Sequence, residues 1–109
     1  MDLGNFSISL SVKDLAQTRA FYEAFGFTQI AGDPSQNWLI LRNGEAKIGL
    51  FQGMFEGNMI TFNPSDARGV QAALKRAGYT PETEAADGEG PTHFSIKDPD
   101  GNLVLVDQH

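Results

Sequence analysis

From residue 6 to residue 12 the chain alternates, with Ser7, Ser9 and Ser11 on one side and Ile8, Leu10 and Val12 on the other. A period of two predicts a strand with one apolar face. Asp14 then stands at a helix N-cap position, where its carboxylate can accept an early helix N–H. The period lengthens and predicts a helix to about Phe25, with Leu15, the stem of Arg19, Tyr22 and Phe25 on one face. Gly26 occupies the usual C-terminal stop position. Short strands follow at residues 28–30, 38–41 and 47–52. GDPSQN reads as a loop, RNGE as a hairpin turn because Asn-Gly suits hairpin twist, and GMFEGN as a Gly-rich connector.

The order then begins again. Residues 59–62 read as a strand, and Ser65 or Asp66 caps a helix to about Ala77, with Val70, Ala73, Leu74 and Ala77 on its face. Gly78 stops it. Residues 79–81 are short and extended, AADGEGP is loop, residues 93–96 form a strand, and the turn DPDG leads into a last strand at 103–106. Such a turn before a strand can present a carboxylate to a metal.

The two halves align. An offset of 52 pairs Asp14 with Asp66, Ile8 with Ile60, Leu10 with Phe62, and GFT (26–28) with GYT (78–80). Later the offset grows to 56, which lays IGLFQ (48–52) over VLVDQ (104–108). Each half reads as strand, helix, then three strands, with repeat one at about 5–53 and repeat two at about 58–108 of a single domain. Two units are too few for a solenoid. The predicted class is α+β: two βαβββ repeats in a curved, mixed, mainly antiparallel sheet, with helices on the outer faces and a cleft inside.

Composition narrows the function classes. The net charge of −6, with eight scattered basic residues, argues against non-specific nucleic-acid binding. The acidity reads first as solubility, and otherwise as a mild preference for cationic ligands. The absence of cysteine excludes disulfides, thiolate metal sites and cysteine nucleophiles, and fits the cytoplasm. No signal peptide is expected in MDLGNFSISL, and no run approaches the roughly 20 apolar residues of a membrane span.

SLSVKDLAQTRAFYEAFGF near the start and IKDPDGNLVLVDQ at the end make the chain resemble the vicinal oxygen chelate superfamily, which includes glyoxalase I, bleomycin-resistance proteins and extradiol dioxygenases. NWLILRNGEAKIGLFQGMFEGNMITFNP also looks like small glyoxalase-like members of that superfamily. The resemblance covers nearly the whole chain and implies a homodimer. It also implies where metal ligands would stand: one in the first and one in the last strand of each repeat, as His, Glu or Gln. Those positions hold Ser7, Gly49, Met59 and Leu105. Zinc wants His, Cys or carboxylate, and nickel, manganese and iron want imidazole or oxygen, so no metal and no other cofactor is expected.

The remaining candidates are weighed on chemistry. His93 can be a ligand, a base or a polar anchor, and alternation turns it to the cleft while Phe94 faces the helix. Ser7, Ser9, Ser11 and Thr61 offer hydroxyls on the same inner face. Trp38, Phe51, Phe55 and Met59 suit an apolar or planar ligand, or equally a core or dimer interface. GMFEG is either a mobile flap or the linker between repeats. The expected function is metal-free binding of a small organic molecule, as in bleomycin-resistance proteins, with contacts at Ser7, Trp38, Phe51, Met59, Thr61 and His93. A lyase or dioxygenase using displaced ligands such as His93 and Glu56, and a non-catalytic interaction module, stand as the alternatives.

Overall fold

The computed structural model describes residues 1–109. The chain forms seven strands and two α-helices, and it divides into two compact units. The first unit is residues 7–58, and the second combines residues 1–6 with residues 59–109. The mixed α+β class stands.

The first unit carries most of β1 (Asn5–Val12), α1 (Leu15–Glu23), β2 (Thr28–Asp33), β3 (Trp38–Asn43) and β4 (Ala46–Gln52). Its strand order is β2-β3-β4-β1. The β2–β3 and β3–β4 pairs are antiparallel, and β4–β1 is parallel. Leu15, Leu39, Leu41 and Leu50 are buried together, with Leu10, Val12, Tyr22, Phe27 and Ile48 packed around them. Each fully buried Leu contributes about 1.5–3 kcal/mol. The hairpin turn lies one residue later than Asn-Gly chemistry suggested. Asn43 pairs with Ala46, leaving Gly44 and Glu45 as the loop, and of these only Gly44 has positive φ. A glycine at the first central position is the mark of a type II′ hairpin. GDPSQN is not plain loop: Pro34–Gln36 forms a 3₁₀ turn that Asp33 caps by accepting from Ser35 N at 2.9 Å.

The second unit holds β5 (Met59–Asn63), α2 (Ala67–Arg76), β6 (Thr92–Lys97) and β7 (Leu103–Gln108), in the order β5-β7-β6. β5–β7 is parallel and β6–β7 antiparallel. Ala67, Val70, Phe94, Ile96 and Val106 form its core, and Leu3 packs against them. Residues 1–6 join this unit through a bridge from Gly4 to Asn63 and a ring contact of Phe6 with Phe62 at 5.5 Å. The short extended segment expected at 79–81, just after the helix, forms no strand, and only one bridge follows it, Thr83 to Ser95. Pro81 offers no N–H to a ladder. The following loop is instead tied to α2: Arg68 donates to the carbonyls of Ala86 and Gly90 at 2.6 and 3.0 Å, and Gln71 accepts from Ala85 N at 2.8 Å.

The repeat extends to hydrogen bonds. Asp14 accepts from Gln17 N and Asp66 from Gly69 N, both at 3.0 Å. Gln52 accepts from Leu15 N and Gln108 from Ala67 N, both at 2.9 Å. Each helix therefore has two of its four orphan N-terminal donors met by side chains, one of them reaching from the last strand of the same repeat. The helix exits match as well. Gly26 N donates to Glu23 O and Phe27 N to Tyr22 O, while Gly78 N donates to Lys75 O and Tyr79 N to Leu74 O. This is the Schellman pattern, with positive φ at both glycines. It corrects the expectation that Phe25 belongs to the buried face of the first helix. The turn carries Phe25 outward, 64% exposed, and puts Phe27 on the core in its place.

Candidate ligand site

The first unit's sheet buries one face under α1, and the strand register sets the residues of its other face. Trp38 pairs with Phe51 across β3–β4, and Phe51 with Ser11 across β4–β1. The next row is Ile40, Gly49 and Ser9. The Trp38 and Phe51 rings lie parallel, 3° apart in plane and 6.0 Å between centroids. Phe55 leans on Phe51 at 5.3 Å and 49°. The connector that carries Phe55 is fastened to β1: Ser11 Oγ donates to Phe55 O at 2.8 Å, and Ser11 N donates to Asn58 Oδ1 at 3.1 Å. Sequence reasoning missed Asn58. A single side-chain amide in a Gly-rich stretch carries no signal until the strand beside it is placed.

Gly49 explains where the rings sit. It is buried, and a Cβ there would lie 2.6 Å from Cε2 of Phe51 and 3.1 Å from Cδ1 of Ile40. The Phe51 ring therefore occupies the space a side chain at 49 would need. A glycine inside an apolar strand often marks such close approach, and that signal was present in IGLFQ.

The expected contact residues fall as follows. Trp38 and Phe51 are brought together by stacking. Ser7 is half-buried on β1, two residues before Ser9 on the same strand face. In the second unit, Met59 pairs with Leu103 and Thr61 with Leu105, and Thr61 is buried. His93 pairs with Asp107 and is exposed, while Phe94 beside it is fully buried in the core as alternation required. Asn63 Nδ2 donates to Asp107 O at 2.9 Å and lies 3.3 Å from His109 Nε2.

The positions at which the superfamily's metal ligands were expected do not fit a metal. Ser7 offers a neutral hydroxyl, Met59 a soft thioether and Leu105 no donor, and the space at Gly49 is filled by an aromatic ring. No group of three or more His, Asp or Glu side chains is placed to hold an ion. The first carboxylate of the DPDG turn is also spoken for. Asp98 accepts from Asp100 N, Asn102 N and Asn102 Nδ2 at 2.8–2.9 Å. The Asn102 side-chain bond, then the backbone N–H groups, hold its carboxyl below the usual aspartate value.

Comparison with known proteins agrees with this architecture. A superfamily member from Vibrio splendidus 12B01 is 15% identical with TM-score 0.74, the match covering 96% of this chain and 98% of that one. Methylmalonyl-CoA epimerase from Mycobacterium tuberculosis is 18% identical with TM-score 0.65, covering 97% and 86%. A Streptomyces coelicolor methylmalonyl-CoA epimerase in complex with 2-nitronate-propionyl-CoA is 19% identical with TM-score 0.70, covering 98% of each. These identities speak for a shared fold alone. No curated protein sequence matches. The family model of the Glyoxalase/Bleomycin resistance protein/Dioxygenase superfamily matches residues 6–106, and the chain belongs to that superfamily.

Proposed function

We propose that the protein binds a small planar organic molecule, without a metal, on the aromatic face formed by Trp38, Phe51 and Phe55. The observation that carries this reading is the Phe51 ring lying over Gly49, beside a parallel Trp38, where a metal ligand would otherwise stand. Aromatic faces of this kind reward stacking by about 0.5–1.5 kcal/mol per ring pair beyond area burial. Ser7 and Ser11 add hydroxyls on the same strand, while Met59, Thr61 and His93, proposed as contacts from the sequence, lie in the second unit. Bleomycin-resistance proteins, which the sequence resembles, give the precedent for sequestration rather than turnover. The reading includes a homodimer in the cytoplasm; sedimentation giving only the 11.8 kDa species would remove the dimer.

Trp38 is the single tryptophan, so its emission reports on this face alone. A screen of planar aromatic compounds by quenching of Trp38 should find binders. Phe51→Ala should weaken them about tenfold, the equivalent of ~1.4 kcal/mol. Binding untouched by Phe51→Ala would move the site elsewhere. A metal-dependent lyase or dioxygenase reading would require one tightly held ion per chain after incubation with zinc, nickel, manganese and iron.

A further inference from the structure

The second unit contains an apolar pocket of about 280 Å³, open to solvent on one side, between α2 and its sheet, on the face away from Met59, Thr61 and His93. Phe62, Val70, Leu74, Tyr79, Ile96 and Val104 contribute to its lining. The first unit provides an internal control, because the repeat places Tyr22 where Leu74 stands and Phe27 where Tyr79 stands. There the same helix exit is closed by rings: Tyr22 and Phe27 meet edge to face at 5.9 Å, both packed on the core. A Schellman turn ordinarily brings these two positions into apolar contact. In the second unit Leu74 is too short to fill the space, and Tyr79 turns out to 54% exposure although its backbone bond to Leu74 O is kept at 3.0 Å.

We propose that this cavity is a second binding site, for one uncharged aromatic ring with short alkyl substituents. The space is that of the ring which the sister repeat supplies from its own chain. An apolar cavity of ~150 Å³ already holds benzene, so a larger one accepts a substituted ring. The charged residues on the lining do not ask for an ionic ligand. Asp98 gives both carboxylate oxygens to its own turn. Lys97 stands exposed at the end of β6, where its ammonium keeps its water. The site lies wholly in the second unit and does not depend on the Trp38 face.

The test uses the full chain and toluene, followed by amide shifts. Toluene should move Leu74, Tyr79, Ile96 and Val104 in a saturable way and leave Trp38 and Phe51 still, and benzoate should bind at least tenfold more weakly. Leu74→Tyr, which copies the sister repeat, should fold with an equal or higher Tm and lose toluene affinity at least tenfold. Leu74→Phe reads the same cavity should the tyrosine variant not fold. The proposal is overturned by no shifts at saturating toluene, by shifts centred on Trp38 and Phe51, or by toluene binding unchanged in the filled variant. Cavity shifts that track protein concentration instead of toluene would make a second copy of the chain the occupant, and overturn it too.

Discussion

A Cβ at position 49 would stand 2.6 Å from the Phe51 ring, closer than carbon atoms pack, so Gly49→Ala must push the ring off its seat. Overpacking of this kind costs about 1–3 kcal/mol. The expected outcome is a lower urea midpoint with a shifted Trp38 emission maximum, since the tryptophan loses its parallel partner. An unchanged emission would mean that the ring stays over residue 49. Asp98 gives a second residue-level prediction. Its carboxyl is held below the ordinary aspartate value by hydrogen bonds to the ionised form. The folded value is the lower one, so the contribution is complete above the unfolded pKa of about 3.9 and is lost as pH falls through the folded value. Amide shifts of Asp100 and Asn102 should therefore move with a midpoint below that of free carboxylates. Movement centred at the ordinary carboxylate pKa would show that the turn bonds are not made.

At the scale of elements, stability rests on repeated devices. Gln52 and Gln108 each reach from a final strand to the first N–H of their helix. Gln52→Ala and Gln108→Ala should each cost about 1 kcal/mol in urea unfolding, because a helix donor loses its partner. Replacement by Glu keeps the acceptor and should cost less. The repeat of IGLFQ over VLVDQ made the glutamines visible as a pair, yet their task was not legible, because it needs the strand end and the helix start placed side by side. Phe94 shows the opposite case. Alternation alone assigned it to the helix side, and it is fully buried there. Phe94→Ala should cost about 3–5 kcal/mol. A domain of this size has only about 5–15 kcal/mol in hand. The strand expected just after α2 failed for a local reason: Pro81 and the glycines after it leave the loop to be held by Arg68 and Gln71 instead of a ladder.

For the molecule as a whole, the repeat and the elements were legible because they rest on periodicity and caps, which are local. The pairing of Trp38 with Phe51 was not, since an Asn-Gly loop would set Trp38 against Gly49 and the loop lies one residue later. The ring lying over Gly49 and the gap beside Leu74 were not, because both depend on how side chains fill space between elements. Net charge is the other property that belongs to the whole chain. Fourteen acidic residues against eight basic ones give the chain a net negative field. A planar cation should therefore bind the Trp38 face faster than a neutral compound of the same shape, and a planar anion more slowly. The difference should shrink as salt is raised from about 0.01 to 1 M, over which the screening length falls from roughly 30 to 3 Å. Stopped-flow quenching of Trp38 with such a matched trio measures it directly. If all three associate at equal rates in low salt, the acidity serves solubility alone and the choice of ligand rests on the stacked rings.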